Sequence, residues 1–522
     1  MQSQANKGVV AAGDRLTAAA GAEVLSQGGN AVDAAIAAMS TAFVAEPALT
    51  GPLGGGFAVV AAPNGPAQAY HFFARAPLAT STEHSPELDF QGLQVDFGST
   101  QQVFHAGRGS TAVPLLLEGF KALHRDHGQL SLKDVLSQCR MSASHGIPLS
   151  KGQLNFIEVL TPILSLTEQS KKIYIDDIRE YGQLSLPGLV KLIDALTEDR
   201  LDEIYRDMSE HFSKPTGLLS PDDFQGLQVN AQPPLVVPFR DHEIIMPGLP
   251  TSAGALIAFG LTLWLKLQRP SSLAEFHHQF AAVAAVTMDY RKRHFDQLVL
   301  SGETHWSLDD IDIPFWSHQL QGRLSNLKAS PSPLEQDGHG STTHVSVVDQ
   351  QGFSCSMTTS NGEGCGHTIP KWDIMANNFM GEADLHPQGF HTSKGGQPLT
   401  SMMCPTVVRG PSGMYALGTG GSNRIRTALL QVIYRLLVLE ERPDEAVFTP
   451  RAHYEGTSFC YEQRGPDGTP GTDLEDHPML RELELTEFPS ANMFFGGVHV
   501  AAPSTVSTGD LRRYGAVATA SA

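Results

Sequence analysis

The sequence has few cysteines, no metal-ligand spacing and little positive charge, and these absences argue against several classes of protein. Its 522 residues include five cysteines, an odd number without a C-x-x-C pair, which argues against a disulfide framework or a zinc site. Its 21 histidines show no H-E-x-x-H or similar ligand spacing, so no metal is predicted. Lys and Arg number 36 against 55 Asp and Glu, and the resulting net charge of −19 disfavours contact with phosphate backbones. We therefore expect no nucleic-acid partner.

Long hydrophobic runs are also missing. The longest apolar stretch, 253–265, is too short to span a bilayer, and it predicts a buried helix instead. The first residues lack the apolar segment of a signal peptide. We therefore expect no membrane partner and a cytoplasmic protein, although a periplasmic or secreted protein whose signal had been removed would have the same sequence.

Small and apolar residues are abundant. Apolar residues make up 41% of the chain, charged residues only 17%, and there are 50 glycines, a composition typical of a globular protein with a large core. Hydrophobic spacing predicts the elements that position the motifs. Helices are expected over 17–45 with a break at Gly28-Gly29-Asn30, over much of 115–200, and over 253–300 and 423–440; extended structure is expected over 233–246, 342–349, 352–358 and 414–417.

A Pro-, Ser- and Gly-rich stretch at 328–341 runs directly into the strand predicted to begin at Thr342. A cleavable segment before such a strand would give Thr342 a free α-amine beside its own hydroxyl. That amine titrates at about 7.7–8.0 and can act as the base for the hydroxyl. Threonine also simply favours strands, so the pattern is compatible with both a nucleophile and a structural residue.

A second candidate is the strand–loop–helix order over 415–430, with G-T-G-G at its centre. Bare backbone N–H groups next to a helix N-terminus favour a phosphate, a carboxylate or a developing oxyanion. Asn423 stands where a dinucleotide fingerprint needs glycine, and no G-K-[ST] follows, which excludes both nucleotide motifs. Tight packing between the strand and the helix is the alternative.

A third candidate is the loop S-N-G-E-G-C-G at 360–366. Its glycines make it compact, and Cys365 is either a nucleophile or, as the lack of an activating partner in the sequence favours, a structural thiol. The glycine cluster at 51–56 is expected to be structural.

Several segments in consistent order resemble the γ-glutamyltransferase (γ-glutamyltranspeptidase) family. They are G-G-N-A-V-D-A-A-I-A-A at 28–38, E-P-A-L-T-G-P-L-G-G-G-F at 46–57, G-L-L-S-P-D-D-F at 217–224, T-T-H-V-S-V-V-D at 342–349, N-N-F-M-G-E at 377–382, P-L-T-S-M-M-C-P-T at 398–406 and G-T-G-G-S-N-R-I at 418–425. The resemblance implies an α+β fold, the four-layer αββα sandwich of N-terminal-nucleophile hydrolases. It also implies self-cleavage into fragments 1–341 and 342–522, which form one domain as a heterodimer or a higher oligomer.

The resemblance assigns catalytic roles to named residues. The bond between Ser341 and Thr342 is the cleavage site, and Thr342 is the nucleophile. Ser360 corresponds to a second hydroxyl that hydrogen-bonds the nucleophile. Gly420 and Gly421 correspond to the oxyanion donors, in agreement with the argument from the helix terminus.

The same resemblance assigns substrate-binding roles. Thr400 and Ser401 correspond to the serine pair that holds a glutamyl α-carboxylate. Glu382 corresponds to an aspartate that binds the α-amine, and Asn361 to a pocket asparagine.

The sequence departs from the family where the substrate carboxylate would bind. Phe73 occupies the position of the arginine in the family's R-x-x-A-P pattern, and a Phe cannot make a bidentate carboxylate contact. Either Arg75, which would share a strand face with Phe73, reaches the same ligand group, or the pocket is apolar here and takes another acyl group. Glu382 is one methylene longer than the family's Asp, and Phe379 replaces a frequent Gln.

We therefore expect an autoprocessing amidohydrolase or acyltransferase that needs no cofactor. The resemblance implies small γ-glutamyl amides such as glutathione as substrates, with water or an acceptor amine releasing the acyl group. One alternative is the same mechanism on a non-glutamyl amide, such as a small oxo-acid amide or an N-acyl compound. Another is an unprocessed ligand-binding protein. The segment 383–396 is either a lid over the site or a surface loop.

Overall fold

The computed structural model describes residues 6–79, 86–96, 101–303, 305–327, 341–386, 388–474, 480 and 483–521. Most of the predicted linker at 328–341 lies outside the described residues. The described residues form two main β-sheets enclosed by two layers of helices, together with four smaller sheets of two or three strands. None of the helices among them is both long enough and apolar enough to cross a membrane.

Strands are distributed along the whole chain. Within the described residues they are β1 (Asn6–Ala12), β2 (Gly55–Ala61), β3 (Ala67–Phe72), β4 (Ala74–Arg75), β5 (Gln91–Asp96), β6 (Gln101–Ala106), β7 (Val113–Pro114), β8 (Ala231–Gln232), β9 (Leu235–Phe239), β10 (His242–Met246), β11 (Thr342–Asp349), β12 (Ser354–Ser360), β13 (Thr368–Ile369), β14 (Ile374–Met375), β15 (Thr406–Gly410), β16 (Gly413–Gly418), β17 (Ala452–Glu455), β18 (Ser458–Glu462), β19 (Glu484–Phe488), β20 (His499–Ala501) and β21 (Ala516–Ser521).

Helices fill the segments between the strands. They are α1 (Arg15–Ser26), α2 (Ala31–Ala45), α3 (Leu116–His127), α4 (Leu132–Val135), α5 (Ser137–His145), α6 (Lys151–Val159), α7 (Thr161–Leu164), α8 (Glu168–Lys171), α9 (Asp177–Tyr181), α10 (Pro187–Thr197), α11 (Leu201–His211), α12 (Ala253–Trp264), α13 (Leu273–Tyr290), α14 (Asp296–Leu300), α15 (Ile313–Ser325), α16 (Arg424–Leu437) and α17 (Pro443–Phe448). A π-helical segment, Arg291–Phe295, joins α13 to α14.

The two main sheets lie face to face. One has the strand order β21-β1-β11-β12-β2-β3-β8, and the other has the order β20-β16-β15-β10-β9. Small and branched residues fill the space between them, among them Val9 and Val59 from the first sheet and Ile245 and Val407 from the second. Helices α1 and α2 cover the outer face of the first sheet, and α12, α13 and α16 cover that of the second. The predicted αββα sandwich is confirmed.

Helices α1 and α2 form the pair that the sequence predicted. Asn30 caps α2 by accepting from the backbone N–H groups of Val32 and Asp33, and Asp33 completes a capping box. A β-carbon at Gly21 would lie 2.9 Å from the carbonyl oxygen of Ala34, so the two helices need glycine there to pack closely. Residues 233–246 form two strands, β9 and β10, because the chain turns at Arg240 with a φ of 56°.

The central hairpin of the first sheet positions the two predicted hydroxyls. In the β11–β12 register Thr342 lies opposite Ser360, and Thr343 lies opposite Thr359. Because side chains alternate along a strand, Thr342 and Ser360 share the face that meets the second sheet, while Thr343 points towards α1 and α2. Strand β2 flanks β12 and places Gly55 beside Ser360.

Candidate active site

The peptide bond between Ser341 and Thr342 lies buried at the start of β11. The Ser360 hydroxyl donates a hydrogen bond of 2.5 Å to the carbonyl oxygen of Ser341. The backbone N–H of Gly362 in turn donates to the Ser360 Oγ at 3.0 Å, which orients that hydroxyl. A donor on the carbonyl oxygen withdraws electron density from the carbonyl carbon, so this arrangement favours nucleophilic attack there.

Groups on either side contact the backbone of the two residues that this bond joins. The carboxyl group of Glu363 accepts from the backbone N–H of Ser341. Burial raises the pKa of Glu363 from 4.5 to about 7, although the hydrogen bond from Asn378 opposes this shift. On the other side, Arg513 Nη1 donates to the carbonyl oxygen of Thr342 at 3.4 Å. Burial lowers the pKa of Arg513 to about 9.

The G-T-G-G loop packs directly on Thr342. A β-carbon at Gly420 would lie 2.0 Å from the carbonyl oxygen of Thr342, so only glycine fits there. Gly421 has a φ of +130°, which L side chains rarely adopt. The loop leads into α16, whose N-terminus adds partial positive charge. Gly420 therefore lies against the predicted nucleophile, whereas a β-carbon at Gly421 would face Gly496 and Arg513. Neither glycine is among the residues that line the neighbouring cavity.

A cavity of about 770 Å³ opens in front of Thr342. It brings together six of the predicted site residues: Thr342, Ser360, Phe73, Glu382, Thr400 and Ser401. The segment predicted as a lid or loop, 383–396, supplies much of its wall through Asp384, Leu385, His386, Gln388, Thr392, Ser393 and Lys394. This places the segment beside the site.

One end of the cavity is aromatic. Phe73 is 5% exposed, and its ring lies 4.5 Å from that of Phe379 and 5.9 Å from that of Phe57 (centroid distances). A β-carbon at Gly55 would come within 1.6 Å of the Phe73 carbonyl oxygen, so the glycine cluster at 51–56 has the structural role that was predicted for it. Phe379 and Phe73 together replace polar residues of the family pattern with apolar surface.

Arg75 is not among the residues that line this cavity. It lies in β4, where it pairs with Val113. The expectation of a face shared with Phe73 assumed a continuous strand. A bend at Phe73 separates β3 from β4 and interrupts the alternation of side chains.

Glu382 contributes an acidic group to the cavity. Its Oε1 is buried and has no hydrogen-bond partner among the described residues. Burial, followed by the nearby charges of Glu363 and Asp384, raises the pKa of Glu382 well above its ordinary value. A substrate ammonium group would relieve this repulsion, which agrees with the role that the resemblance implied.

The Thr400–Ser401 pair is held by the start of α12. The Ser401 carbonyl accepts from the Ser252 N–H at 2.8 Å and from the Thr251 hydroxyl at 3.0 Å. The Ser401 Oγ accepts from the N–H of Met403 at 3.0 Å. The backbone around Ser401 is thus fixed where its hydroxyl reaches the cavity.

Asn361 lies away from this cavity. It borders a separate, much smaller pocket, and its Nδ2 donates to the carbonyl oxygen of Met375 at 3.5 Å. The neighbouring Cys365 is buried, its Sγ donates to the His367 carbonyl at 3.4 Å, and burial raises its pKa to about 11. A thiol of this kind is protonated at neutral pH and is suited to a structural role.

The cavity also contains basic residues that the sequence did not single out. Arg291 and Lys292 reach it from the π-helical segment, and the Arg291 Nε donates to Asp296 Oδ1 at 3.1 Å. The charged run R-K-R-H at 291–294 is visible in the sequence. Only the packing of α13 beside α16 brings it to the site, so no local pattern could have assigned it there.

Comparisons with known proteins agree with this geometry. Residues 17–519 match the family model described as Gamma-glutamyltranspeptidase. The Acylase ACY 1 proenzyme of Pseudomonas sp. (strain SE83) is 28% identical over 503 residues, covering 88% of this chain and 85% of that protein. The Glutathione hydrolase proenzyme of Escherichia coli (strain K12) is 23% identical over 488 residues, covering 87% and 82%.

A solved structure has the same fold. The crystal structure of cephalosporin acylase from Bacillus halodurans covers 99% of this chain and 96% of its own, with a TM-score of 0.76 and 18% identity. The family match spans nearly the whole chain and includes both main sheets except for β1 and the last residues of β21. The chain therefore belongs to the γ-glutamyltranspeptidase family of N-terminal-nucleophile hydrolases and is an enzyme of that type.

Proposed function

We propose that the chain cleaves itself between Ser341 and Thr342 and then uses Thr342 as the nucleophile of an amidohydrolase. The observation that carries this proposal is the 2.5 Å hydrogen bond from Ser360 to the carbonyl oxygen of the bond to be cut. The Thr342 Oγ attacks the Ser341 carbonyl carbon, the C–N bond breaks, and the hydroxyl proton passes to the departing nitrogen. Water then hydrolyses the resulting ester, which leaves a carboxylate on Ser341 and a free amine on Thr342.

The same residues support turnover of a substrate. The new α-amine of Thr342 takes the proton from Oγ as this oxygen attacks a substrate amide, and it delivers the proton to the leaving amine. The N–H groups of Gly420 and Gly421 stabilise the tetrahedral oxyanion. Water, or an acceptor amine, releases the acyl group from Thr342.

The two fragments would stay together after cleavage. Strand β1 from the first fragment lies between β21 and β11 of the second, and β2 pairs with β12. Separating residues 1–341 from 342–522 would break the central sheet and expose its core. We therefore propose that the active form is a heterodimer with one shared fold.

We further propose that the acyl group lacks the α-carboxylate of a glutamyl group. Phe73 and Phe379 line the cavity where the family resemblance calls for a carboxylate-binding arginine, and Arg75 does not line it. Burying a carboxylate against two phenyl rings without a partner is unfavourable. The similarity to acylases as well as glutathione hydrolases is compatible with this choice.

The second candidate is hydrolysis of γ-glutamyl amides such as glutathione. Glu382, with its unpartnered Oε1, and the Thr400–Ser401 pair favour it, because they match the family's amine and carboxylate positions. An unprocessed ligand-binding protein is less well supported, because the chain belongs to an enzyme family and retains the hydroxyls and glycines of the site.

Intact mass and N-terminal sequencing of the expressed protein test the first proposal. We expect two fragments, the second beginning at Thr342. The variant Thr342→Ala should remain one chain without amidase activity, since it has no hydroxyl to attack the carbonyl. Cleavage of that variant at the same bond would contradict the proposal.

Four p-nitroanilides test the acyl group: γ-glutamyl, glutaryl, 4-aminobutyryl and butyryl. They separate the contributions of the α-amine and the α-carboxylate. We expect kcat/KM for 4-aminobutyryl to exceed that for γ-glutamyl by about 10-fold, because Glu382 can pair with the α-amine, whereas Phe73 and Phe379 place phenyl rings where the α-carboxylate would bind. The reverse order would favour the glutamyl candidate.

A further inference from the structure

Behind the nucleophile strand lies a carboxylate that the mechanism above does not use. Glu46, which ends α2, is 0% exposed. Its Oε1 accepts from the hydroxyl of Thr17 at 2.7 Å, and its Oε2 accepts from the hydroxyl of Thr343 at 2.5 Å. Among the described residues, no Lys, Arg or His forms an ion pair with it. A buried carboxylate without a cation is costly, so its presence here calls for a specific role.

The position of Glu46 relates it to Thr342. Thr343 follows the nucleophile directly, and its side chain points to the opposite face of β11 from the cavity. Glu46 therefore contacts the first residues of β11 on the face of the strand opposite to the cavity. It reaches them from the turn after α2, while Thr17 ties the same carboxylate to α1.

The hydrogen bond between Thr343 and Glu46 is tightly packed against Gly13. A β-carbon at Gly13 would lie 2.4 Å from Glu46 Oε2 and 2.7 Å from the Thr343 hydroxyl oxygen. Close packing of this kind leaves the Thr343 hydroxyl with one geometry. The neighbouring strand has a similar link, in which the hydroxyls of Thr50 and Thr359 lie 2.7 Å apart.

We propose that Glu46 is a positioning residue that, through Thr343, fixes Thr342 at the distance and angle needed for attack. The proposal rests on the function proposed above. Near-attack geometry requires the nucleophile within about 3–3.5 Å of the carbonyl carbon, and a displacement of about 1 Å can cost about 10²-fold in rate. A hydrogen bond from a hydroxyl to a carboxylate is stronger than one between neutral groups, so it is suited to keeping the start of β11 in a fixed position.

The charge state of Glu46 supports this role. Burial, opposed by the two threonine hydroxyls, raises its pKa from 4.5 to about 7, and nearby Asp14 adds to the rise. Asp14, at the start of α1, is the acidic group that faces Glu46, and the pKa of Asp14 is itself raised by burial. A proton on either Glu46 oxygen turns an acceptor into a donor, so the hold on Thr343 should weaken in acid.

The test uses substitutions that remove or keep single hydrogen bonds. Thr343→Val keeps the branched shape but loses the hydroxyl, and Thr343→Ser restores the hydroxyl. Glu46→Gln keeps the size but removes the charge. Thr41→Val is the matched control, because Thr41 is a buried threonine of α2 whose hydroxyl donates to the Ala37 carbonyl of its own helix.

We expect Glu46→Gln and Thr343→Val to slow self-cleavage by about 10-fold, with Thr343→Ser and Thr41→Val close to the parent chain. In the cleaved enzyme, kcat should fall by a similar factor while KM stays within about two-fold, because the substrate pocket is untouched. Glu46→Gln should also flatten the dependence of cleavage rate on pH between about 5 and 8.

Two results overturn the inference by itself. One is a parent chain that cleaves at Thr342 while Glu46→Gln and Thr343→Val cleave and turn over at the parent rate. The other is an equal loss in Thr343→Val, Thr343→Ser and Thr41→Val, which would show a general packing defect. If Glu46→Gln does not fold, the Thr343→Val and Thr343→Ser pair decides. A parent chain that is never cut at Thr342 instead refutes the proposed function.

Discussion

The two ends of the cavity are built in different ways. At the end that contains Thr342, hydroxyls and backbone groups of neighbouring central strands form short hydrogen bonds. The Ser360 hydroxyl, for example, donates to the Ser341 carbonyl oxygen. At the end that we propose binds the acyl group, Phe73 lies in a bend, and Phe379 and Glu382 lie in short turns between strands. Strand register holds the first arrangement rigidly, whereas turns and loops change more readily among relatives. The chemistry can therefore be retained while the acyl specificity varies.

Removing the polarising hydroxyl should have the largest effect. We expect Ser360→Ala to slow self-cleavage by about 10²-fold, because the carbonyl oxygen of Ser341 then loses its donor. The rate is followed by the disappearance of the uncut chain on a gel.

Ser356→Ala is the control for that substitution. Ser356 lies on the same face of β12 and is buried, but its hydroxyl donates to the Leu417 carbonyl at 2.9 Å, away from the bond to be cut. It should cleave at the parental rate. An equal delay in both variants would mean that the strand, and not the Ser360 hydroxyl, controls cleavage.

A change at the acyl end should leave cleavage intact and alter substrate choice. We expect Phe73→Arg to raise the kcat/KM ratio of γ-glutamyl to 4-aminobutyryl p-nitroanilide by about 10-fold, since a guanidinium can pair with the α-carboxylate. Phe73→Leu, which stays apolar, should leave the ratio unchanged. A loss of self-cleavage in Phe73→Arg would show that the two ends are coupled.

The smallest expected effect concerns the charge of the catalytic end. The pKa of Glu363 is about 7 in the folded chain and near 4.5 when unfolded, because burial disfavours its charged form. The folded state therefore holds the proton more tightly, and its stabilising contribution is present below about pH 4.5 and lost as pH rises towards 7. In the uncut Thr342→Ala background, adding Glu363→Gln should make the fall in unfolding free energy over this range smaller, because glutamine does not titrate.

Chemical unfolding at pH 5 and pH 7.5 measures this difference. Glu23→Gln, at an exposed position of α1, serves as the control and should follow the Thr342→Ala parent. An equal change in unfolding free energy between pH 5 and pH 7.5 in all three chains would argue against a raised pKa at Glu363.

Much of the fold follows from local patterns. Helical spacing around Gly28-Gly29-Asn30 predicted α1 and α2, and the run of strand-forming residues after the Pro-, Ser- and Gly-rich stretch predicted β11 from Thr342. The glycine loop before α16 was predicted either to bind an anion or an oxyanion or to pack tightly, and its Gly420 lies against Thr342. These features depend on residues near one another in sequence, so local sequence patterns are enough to predict them.

Other features could not be read this way. The argument for Arg75 assumed an unbroken strand, and the bend at Phe73 removed that basis. Asn361, next to Ser360 in sequence, lies at a different pocket, because the chain leaves β12 there and turns away from the cavity. Arg291 reaches the cavity only through helix packing, far from any motif.

The sequence by itself predicted the strand that begins at Thr342 and the residues from which a nucleophile and an oxyanion site can be made, and its resemblance to the family implied the αββα class. The tertiary structure decided that Ser360 bonds the Ser341 carbonyl, that Glu46 accepts a hydrogen bond from Thr343, and that Phe73 lines the same cavity as Thr342. Periodicity sets which side of an element a residue faces. Which side chains then meet depends on strand register and on packing between residues hundreds of positions apart.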